Sequence, residues 1–274
     1  MHDAKHRQLS ALVVAMIFAA LATARAEDAA AQGLQAAGTM AAALTRRDAE
    51  PAEWQKLERI YSELAARHPR DATVRDGYAQ FLWNRNERER ARREWKAAEE
   101  LDPKNAAVLQ RLADAHLAEG DGPAAARYFQ KACDAAPTNA RCRYAAGNAL
   151  YLFRHELVDA ATSEVQILET ALAHFAAAAR LAPLEVEYAR AYAETFYGVP
   201  KADWETAARA WEHFIEVTPN KDFGYANLAR VRLKMGQHDA AFGCLDMIHG
   251  SDFVRLKANL REQIERARQV SAGR

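Results

Sequence analysis

Acidic residues and histidines stand close together at several places in the sequence, for example Asp114 with His116 and His155 with Glu156. Such pairs could act as a general acid and base if the fold brought them into one pocket. The motifs that mark common hydrolases, metalloproteases and dinucleotide-binding enzymes, G-x-S-x-G, H-E-x-x-H and G-x-G-x-x-G, are absent. We therefore expect both pairs to lie on a solvated surface, and we predict a protein that is not an enzyme and uses no cofactor or metal.

The sequence contains three cysteines, Cys133, Cys142 and Cys244. Cys133 and Cys142 stand almost symmetrically about Pro137, where a tight turn between antiparallel helices would bring them near the separation that a disulfide requires. Two alternatives remain open for this pair: a disulfide formed in an oxidising compartment, or two small buried thiols.

The N-terminal residues resemble an export signal. A short basic start is followed by an apolar run from Leu9 to Leu21 and then by the small-x-small sequence Ala24-Arg25-Ala26. We predict that residues 1–26 are a signal peptide and that the mature, periplasmic or secreted chain begins at Glu27. This apolar run has 13 residues, whereas a membrane span needs roughly 20. We therefore expect no membrane span after cleavage; a retained anchor is the alternative.

The charge balance narrows the choice of partners. Lys and Arg number 37, Asp and Glu also number 37, and half of the residues are hydrophobic. This composition is typical of a folded soluble protein. The basic stretch from Arg85 to Lys96 is interleaved with glutamates, as on a solvated helix. We therefore expect no nucleic-acid partner.

An internal repeat organises most of the chain. Pro69, Pro103 and Pro137 stand 34 residues apart, and Pro183 and Pro219 continue the series with inserts of twelve and two residues. In the five repeats that follow Pro69, small residues recur in phase at two positions, and a large apolar residue recurs at a third. The first small position reads Ala79, Ala113, Gly147, Ala193 and Ala229, the second Ala91, Ala125, Ala171, Ala207 and Ala241, and the large position Trp95, Phe129, Phe175, Trp211 and Leu245.

This pattern predicts antiparallel helix pairs. Each proline ends a helix, because proline cannot continue a helix built from the residues before it. Two helices approach closely where small residues face each other, and the large residue then fills the space next to them. One pair cannot bury its apolar stripe alone, so successive pairs must stack.

The chain resembles the tetratricopeptide repeat (TPR) family through these residues, for example Ala113, Ala125, Phe129 and Pro137 within one repeat. The resemblance implies an all-α fold, a right-handed superhelical solenoid of antiparallel helix pairs closed by a C-terminal capping helix. The expected segments are an N-terminal helix with a degenerate first repeat (27–71), an array at 72–250 with repeats 72–105, 106–139, 140–185, 186–221 and 222–250, and a capping helix with its tail (251–274).

The repeat at 140–185 carries the twelve extra residues. Ser163 and Gln166 form a predicted capping box that opens one helix, and apolar residues at helical spacing extend the preceding helix from Asn139 to about Val158. We predict a protruding, extended helix pair with its tip near residues 159–163. A disordered loop is the alternative.

In TPR proteins the first helices of the pairs line a concave groove that commonly holds a segment of a partner. The resemblance therefore implies a set of inward-facing candidates for partner binding. They are Asp76, Gln80, Trp83, Asn84, Gln110, Asp114, Tyr144, Asn148, Tyr151, Arg190, Glu194, Tyr197 and Arg230. Aromatic members could dominate the binding energy, although they could instead pack on neighbouring repeats.

These observations predict a non-catalytic interaction module or adaptor in the cell envelope, with a protein or peptide partner and a role in envelope assembly or secretion. A self-associating scaffold is one alternative, with the groove filled by a second copy or by residues 28–45. An enzyme or small-ligand binder with a site near the extended hairpin is the other.

Overall fold

The computed structural model describes residues 26–46, 49–159 and 161–272, and within these ranges the chain is helical without a β-strand. The predicted signal peptide lies outside the described residues except for Ala26, where the first described helix begins. The chain divides into two compact units at Ala118 and Glu119. Among the described helices, none has the length and apolarity that crossing a bilayer requires.

The described residues of the first unit form five helices. They are α1 (Ala26–Thr45), α2 (Pro51–Arg67), α3 (Ala72–Asn84), α4 (Arg88–Leu101) and α5 (Ala106–Glu119), the last of which ends one residue past the unit boundary. Helix α1 packs against α2 and α3, and α3 packs along α4. The core between them contains Leu57, Leu64 and Leu82, each nearly inaccessible to solvent.

In the second unit, the part of the chain that the structure describes forms eight helices and two 3-10 turns. The helices are α6 (Gly122–Ala135), α7 (Ala140–Leu152), α8 (Glu164–Leu181), α9 (Val186–Thr195), α10 (Trp204–Val217), α11 (Lys221–Lys234), α12 (His238–Asp246) and α13 (Val254–Ala272). The 3-10 turns are Phe196–Gly198, directly after α9, and Ser251–Phe253, directly before α13. Consecutive helices from α6 to α13 contact each other, and α13 also contacts α11.

The helices begin and end where the capping residues and prolines of the sequence predicted. Helices α2, α4, α6, α8 and α10 each end two residues before one of the five repeating prolines. At the starts, side chains such as Asp71, Asp121 and Asp203 accept hydrogen bonds from the first free backbone amides. Ser163 and Gln166 form the predicted capping box at the start of α8.

The predicted steric pattern is confirmed by burial. All ten small residues at the two recurring positions are buried, nine of them alanines at 0% exposure. The large residues of the third position are buried as well, with Trp95, Trp211 and Phe129 among the most enclosed side chains. Gly147 shows how close the approach is, because a Cβ added there would lie 2.8 Å from the Phe175 ring.

The twelve-residue insert departs from the prediction. Helix α7 ends at Leu152, six residues before the expected end, so the extended first helix is wrong and only α8 is lengthened. Phe153 turns back and packs so tightly on Gly122 that a side chain there would overlap its ring. Arg154 then pairs with Glu164 at 3.0 Å, and Asp159 accepts hydrogen bonds from two backbone amides that follow it. The insert is therefore a folded turn rather than a helical extension.

The terminal helix α13 completes the core of the second unit. Its Leu260 and Ile264 are buried against α11 and α12. The Asp222 carboxylate at the start of α11 accepts hydrogen bonds from the backbone amides of His249 and Gly250, which hold the segment leading into α13. These bonds join the start of α11 to the segment that precedes α13.

Candidate functional site

In the first unit, the predicted polar residues of α3 are held by intramolecular partners. The Asp76 carboxylate accepts a hydrogen bond from the Trp95 indole at 2.9 Å and lies 2.8 Å from Arg111 Nε. Gln80 accepts a hydrogen bond from the Arg111 guanidinium, and its amide nitrogen donates to Asn84 Oδ1 at 2.9 Å. Arg111, which is not among the predicted candidates, therefore joins α5 to α3 through two predicted residues.

The other candidates of the first unit are spread along α3 and α5. Trp83 packs on Trp95 with ring centroids 5.4 Å apart, and the Arg88 guanidinium lies 4.7 Å from the Trp83 ring. The alternative in which an aromatic residue packs on its neighbours therefore applies to Trp83. On α5, Gln110 is half-buried and Asp114 is exposed.

In the second unit, α7, α9 and α11 are the first helices of their pairs. We call the surface of these helices that includes Tyr144, Asn148, Tyr151, Glu194 and Arg230 the first-helix face. At its α7 end, Tyr144 stacks on Tyr188 of α9 with centroids 4.7 Å apart, and Asn148 is half-buried. Tyr151 keeps 37% of its surface exposed. Its ring lies beside Gly198, the residue that follows Tyr197.

A cavity of about 570 Å³ lies at the other end of this face, between α9 with its 3-10 turn, α11 and α13. It is lined by Glu194, Tyr197, Phe223, Asn227, Arg230, Leu233, Lys234 and Gln263. The structure thus brings together Glu194, Tyr197 and Arg230, three of the predicted candidates. This cavity is the candidate functional site, and we call it the α11 pocket.

Tyr197 forms one wall of the α11 pocket. Its hydroxyl donates a hydrogen bond to the backbone carbonyl of Asn227 at 3.1 Å, and its ring lies near those of Trp204 and Trp211. Burial of the hydroxyl raises the pKa of Tyr197 to about 12, against a smaller opposing effect of the Arg230 charge. The side chain is therefore a neutral aromatic surface at physiological pH, with 38% of it open to solvent.

Asn227 fixes the cationic wall of the pocket. It is 4% exposed, and its amide nitrogen donates to the Phe223 carbonyl at 2.9 Å. Its Oδ1 accepts a hydrogen bond from the Arg230 guanidinium, also at 2.9 Å. One turn further along α11, the Lys234 ammonium lies 4.8 Å from the centre of the Trp204 ring. The two cations are therefore positioned by an amide and an aromatic ring.

Glu194 is the acidic member of the lining. Desolvation raises the pKa of Glu194, while the Arg190 charge lowers it and the Glu187 charge raises it. The candidate Arg190 itself pairs with Glu187 at 2.9 Å on the exposed side of α9. The pKa of Glu194 thus depends on its burial and on two charged residues of its own helix.

The residues that complete the pocket and are not among the predicted partner-binding candidates are Phe223, Asn227, Leu233, Lys234 and Gln263. Asn227 and Arg111 occupy the same place in their repeats, two residues before the recurring small residue, and a polar residue there was an available signal. Gln263 belongs to α13, and its place in the pocket depends on how that helix packs on α11. No pattern in the repeats could reveal it.

Other features of the second unit are less suited to directing a ligand. A cavity of about 760 Å³ beside α8 and α10 is lined by five alanines and by Arg180, Pro183, Tyr192, Thr206, Arg209 and His213. The Sγ atoms of Cys133 and Cys142 lie 2.8 Å apart without a bond, so their pairing stays a prediction. Within the described ranges, no three His, Cys, Asp or Glu residues are placed to hold a metal ion.

No family model and no curated protein matches the sequence. Solved structures do match. YrrB, described as a TPR protein with an unusual peptide-binding site, aligns at 17% identity over 77% of this chain and 97% of its own, with a TM-score of 0.56. PilF of Pseudomonas aeruginosa aligns at 14% identity over 86% and 98%, with a TM-score of 0.53. A MamA protein aligns at 15% identity over 71% and 94%, with a TM-score of 0.51.

Proposed function

Because the chain has the tetratricopeptide-repeat fold, we propose that it is a non-catalytic interaction protein that binds a peptide segment of a partner protein on the first-helix face of its second unit. The α11 pocket carries this proposal. Its lining brings together aromatic rings, two cations and amide side chains around one open cavity. Aromatic and arginine side chains of this kind commonly supply most of the energy of a binding interface.

The chemistry of the pocket suits binding better than catalysis. The Tyr197 hydroxyl, with a pKa of about 12, is too weakly acidic to exchange a proton near neutrality and already donates to a backbone carbonyl. Glu194 is the pocket's single carboxylate, so the lining lacks the second acid or base that a hydrolytic step would need. A mixed aromatic and polar lining instead matches the way pockets orient a bound chain.

The first-helix face extends the pocket in one direction. Tyr151 stands beside Gly198, next to the pocket wall formed by Tyr197, and offers a second exposed ring. An extended peptide that occupies the pocket could lay its neighbouring side chains across Tyr151. The peptide-binding site described for YrrB gives a precedent on the same fold, at 17% identity.

The proposed setting is the cell envelope, where the protein would serve the assembly or secretion of envelope components after export. The support is the sequence of residues 1–26, with its basic start, short apolar run and Ala24-Arg25-Ala26 site. Expression of the full chain in a bacterial host followed by N-terminal sequencing tests this setting. A start at Glu27 in the periplasmic fraction is expected, and an uncleaved cytoplasmic chain would exclude it.

Selection from a displayed random peptide library on the immobilised protein tests the interaction itself. Selected peptides should bind the protein in solution, and Tyr197→Ala or Arg230→Ala should weaken them by about tenfold or more. Arg209→Ala, on α10, is the matched control and should leave affinity unchanged. Equal binding by all variants would remove the pocket from the interaction. Light scattering of the same samples shows whether self-association, rather than a peptide, occupies the face.

A further inference from the structure

We infer that the α11 pocket recognises a carboxylate that is adjacent to an apolar side chain in the bound segment, with Arg230 as the residue that selects it. This inference depends on the proposed peptide-binding function and names the chemistry of its ligand. It is carried by the arrangement of charge, hydrogen-bond donors and apolar surface around one cavity.

The lining of the pocket has an excess of positive charge. Its lining holds two cations, Arg230 and Lys234, and one carboxylate, Glu194. Elsewhere in this unit many arginines are neutralised by a neighbouring acid. Such pairs are Arg154 with Glu164, Arg190 with Glu187, Arg232 with Glu212, Arg261 with Asp246, Arg266 with Glu262, and Arg268 with Asp239. Arg230 forms no ion pair with a carboxylate of the described residues.

A hydrogen bond to Asn227 fixes the orientation of the Arg230 guanidinium. Asn227, itself almost fully buried, accepts one guanidinium hydrogen bond at 2.9 Å and so holds the planar group in place. A guanidinium has five N–H donors, so the donors that Asn227 leaves can reach a ligand. A fixed guanidinium fork matches the two oxygens of a carboxylate, and such charge-assisted pairs are about twice as strong as neutral hydrogen bonds.

The surroundings of the cation define the rest of the ligand. Phe223, Leu233 and the Tyr197 ring line the same cavity as the Arg230 guanidinium and supply its apolar surface. Phe223 is locked by edge-to-face contacts with Trp211 and Phe214, at centroid distances of 5.8 and 6.0 Å. The apolar wall is therefore preformed, so a side chain packed on it loses little energy to rearrangement.

Glu194 sets the direction of approach. It stands on α9, across the pocket from α11, and it repels an acid placed near it. The carboxylate of the ligand therefore enters on the side of α11 and α13, the helices from which Arg230, Lys234 and Gln263 line the pocket. The apolar side chain then lies on the Phe223 side. A ligand with an amide in place of the acid loses the attraction of both cations.

Two-dimensional NMR of the full chain tests this inference with three small probes. The probes are N-acetyl-phenylalanyl-glutamate amide, its glutamine counterpart, and N-acetyl-phenylalanine with a free carboxylate. The first and third separate a side-chain acid from a terminal one, since either source supplies the same group. Titrations follow the Arg side-chain Nε–H signals, the Gln263 amide and the Trp204 indole.

At least one acidic probe should bind about tenfold more tightly than the glutamine probe, and Arg230→Gln should abolish that difference. Arg209→Gln should preserve it, and Glu194→Gln should strengthen acidic binding. Equal affinities for acid and amide probes, or a preference that persists in Arg230→Gln, would overturn the inference. If library-selected peptides bind this face without an acidic preference, the inference fails while the proposed function stands.

Discussion

Replacing Gly147 by alanine tests the steric basis of the fold with a single methyl group. A Cβ at this position of α7 would lie 2.8–3.0 Å from three atoms of the Phe175 ring on α8. The ring cannot move freely, because it is 2% exposed and packs against Tyr144 at 5.8 Å. The added methyl group must therefore push two tightly packed helices apart or force the ring out of its preferred rotamer.

Gly243→Ala supplies the matched control within the same unit. Gly243 lies in α12, is exposed, and has no atom within 4 Å of an added Cβ. Glycine within a helix costs about 0.5–1 kcal/mol relative to alanine, so both substitutions gain this amount from the backbone. Overpacking costs about 1–3 kcal/mol, and only Gly147→Ala incurs it.

We expect Gly243→Ala to raise the free energy of unfolding and Gly147→Ala to lower it, so that the two variants differ by about 1–3 kcal/mol. Urea unfolding followed by far-ultraviolet circular dichroism measures both values, provided that the slope of the transition stays constant. Equal stabilisation by both substitutions would refute the claim that the recurring small residues allow a close helix approach.

Three further predictions concern stability. Burial lowers the pKa of His174, so near this pKa the folded state binds fewer protons than the unfolded state. The free energy of unfolding should therefore fall as the pH drops below about 6.5, and urea titrations of His174→Gln should show a weaker pH dependence. Mild oxidation should pair Cys133 with Cys142 and stabilise the fold by about 2–3 kcal/mol; thiol titration should then find one free thiol, whereas three would contradict the pairing. Asp203→Ala removes the cap that accepts hydrogen bonds at the start of α10 and should cost about 1 kcal/mol in chemical unfolding, while an unchanged midpoint would show that the cap is dispensable.

The regular part of the fold was accessible from the sequence because its causes are local and repeated. Proline spacing predicted where helices end, and the recurring alanines predicted which surfaces meet. Both signals act within one helix pair, so a single sequence contains them several times.

The insert and the pocket were less accessible, because each depends on contacts between distant residues. The apolar spacing that includes Phe153 predicted a longer helix. In the structure the helix ends at Leu152, and the Phe153 ring packs on Gly122. Arg230 and Tyr197 were predicted by their repeat positions, whereas Gln263 belongs to the terminal helix α13, which lies outside the repeats. In the first unit, repeat position alone suggested that Gln80 is available to a partner, but Arg111 already binds it.

Photocrosslinking tests the central claim, that a peptide binds on the first-helix face of the second unit. A photoreactive benzoyl-phenylalanine would replace Tyr151 on this face in one sample and His213, which lines the cavity between α8 and α10, in another. With a library-selected peptide, crosslinks should form from position 151 and be lost on addition of unlabelled peptide. Crosslinks from position 213 alone would contradict the account.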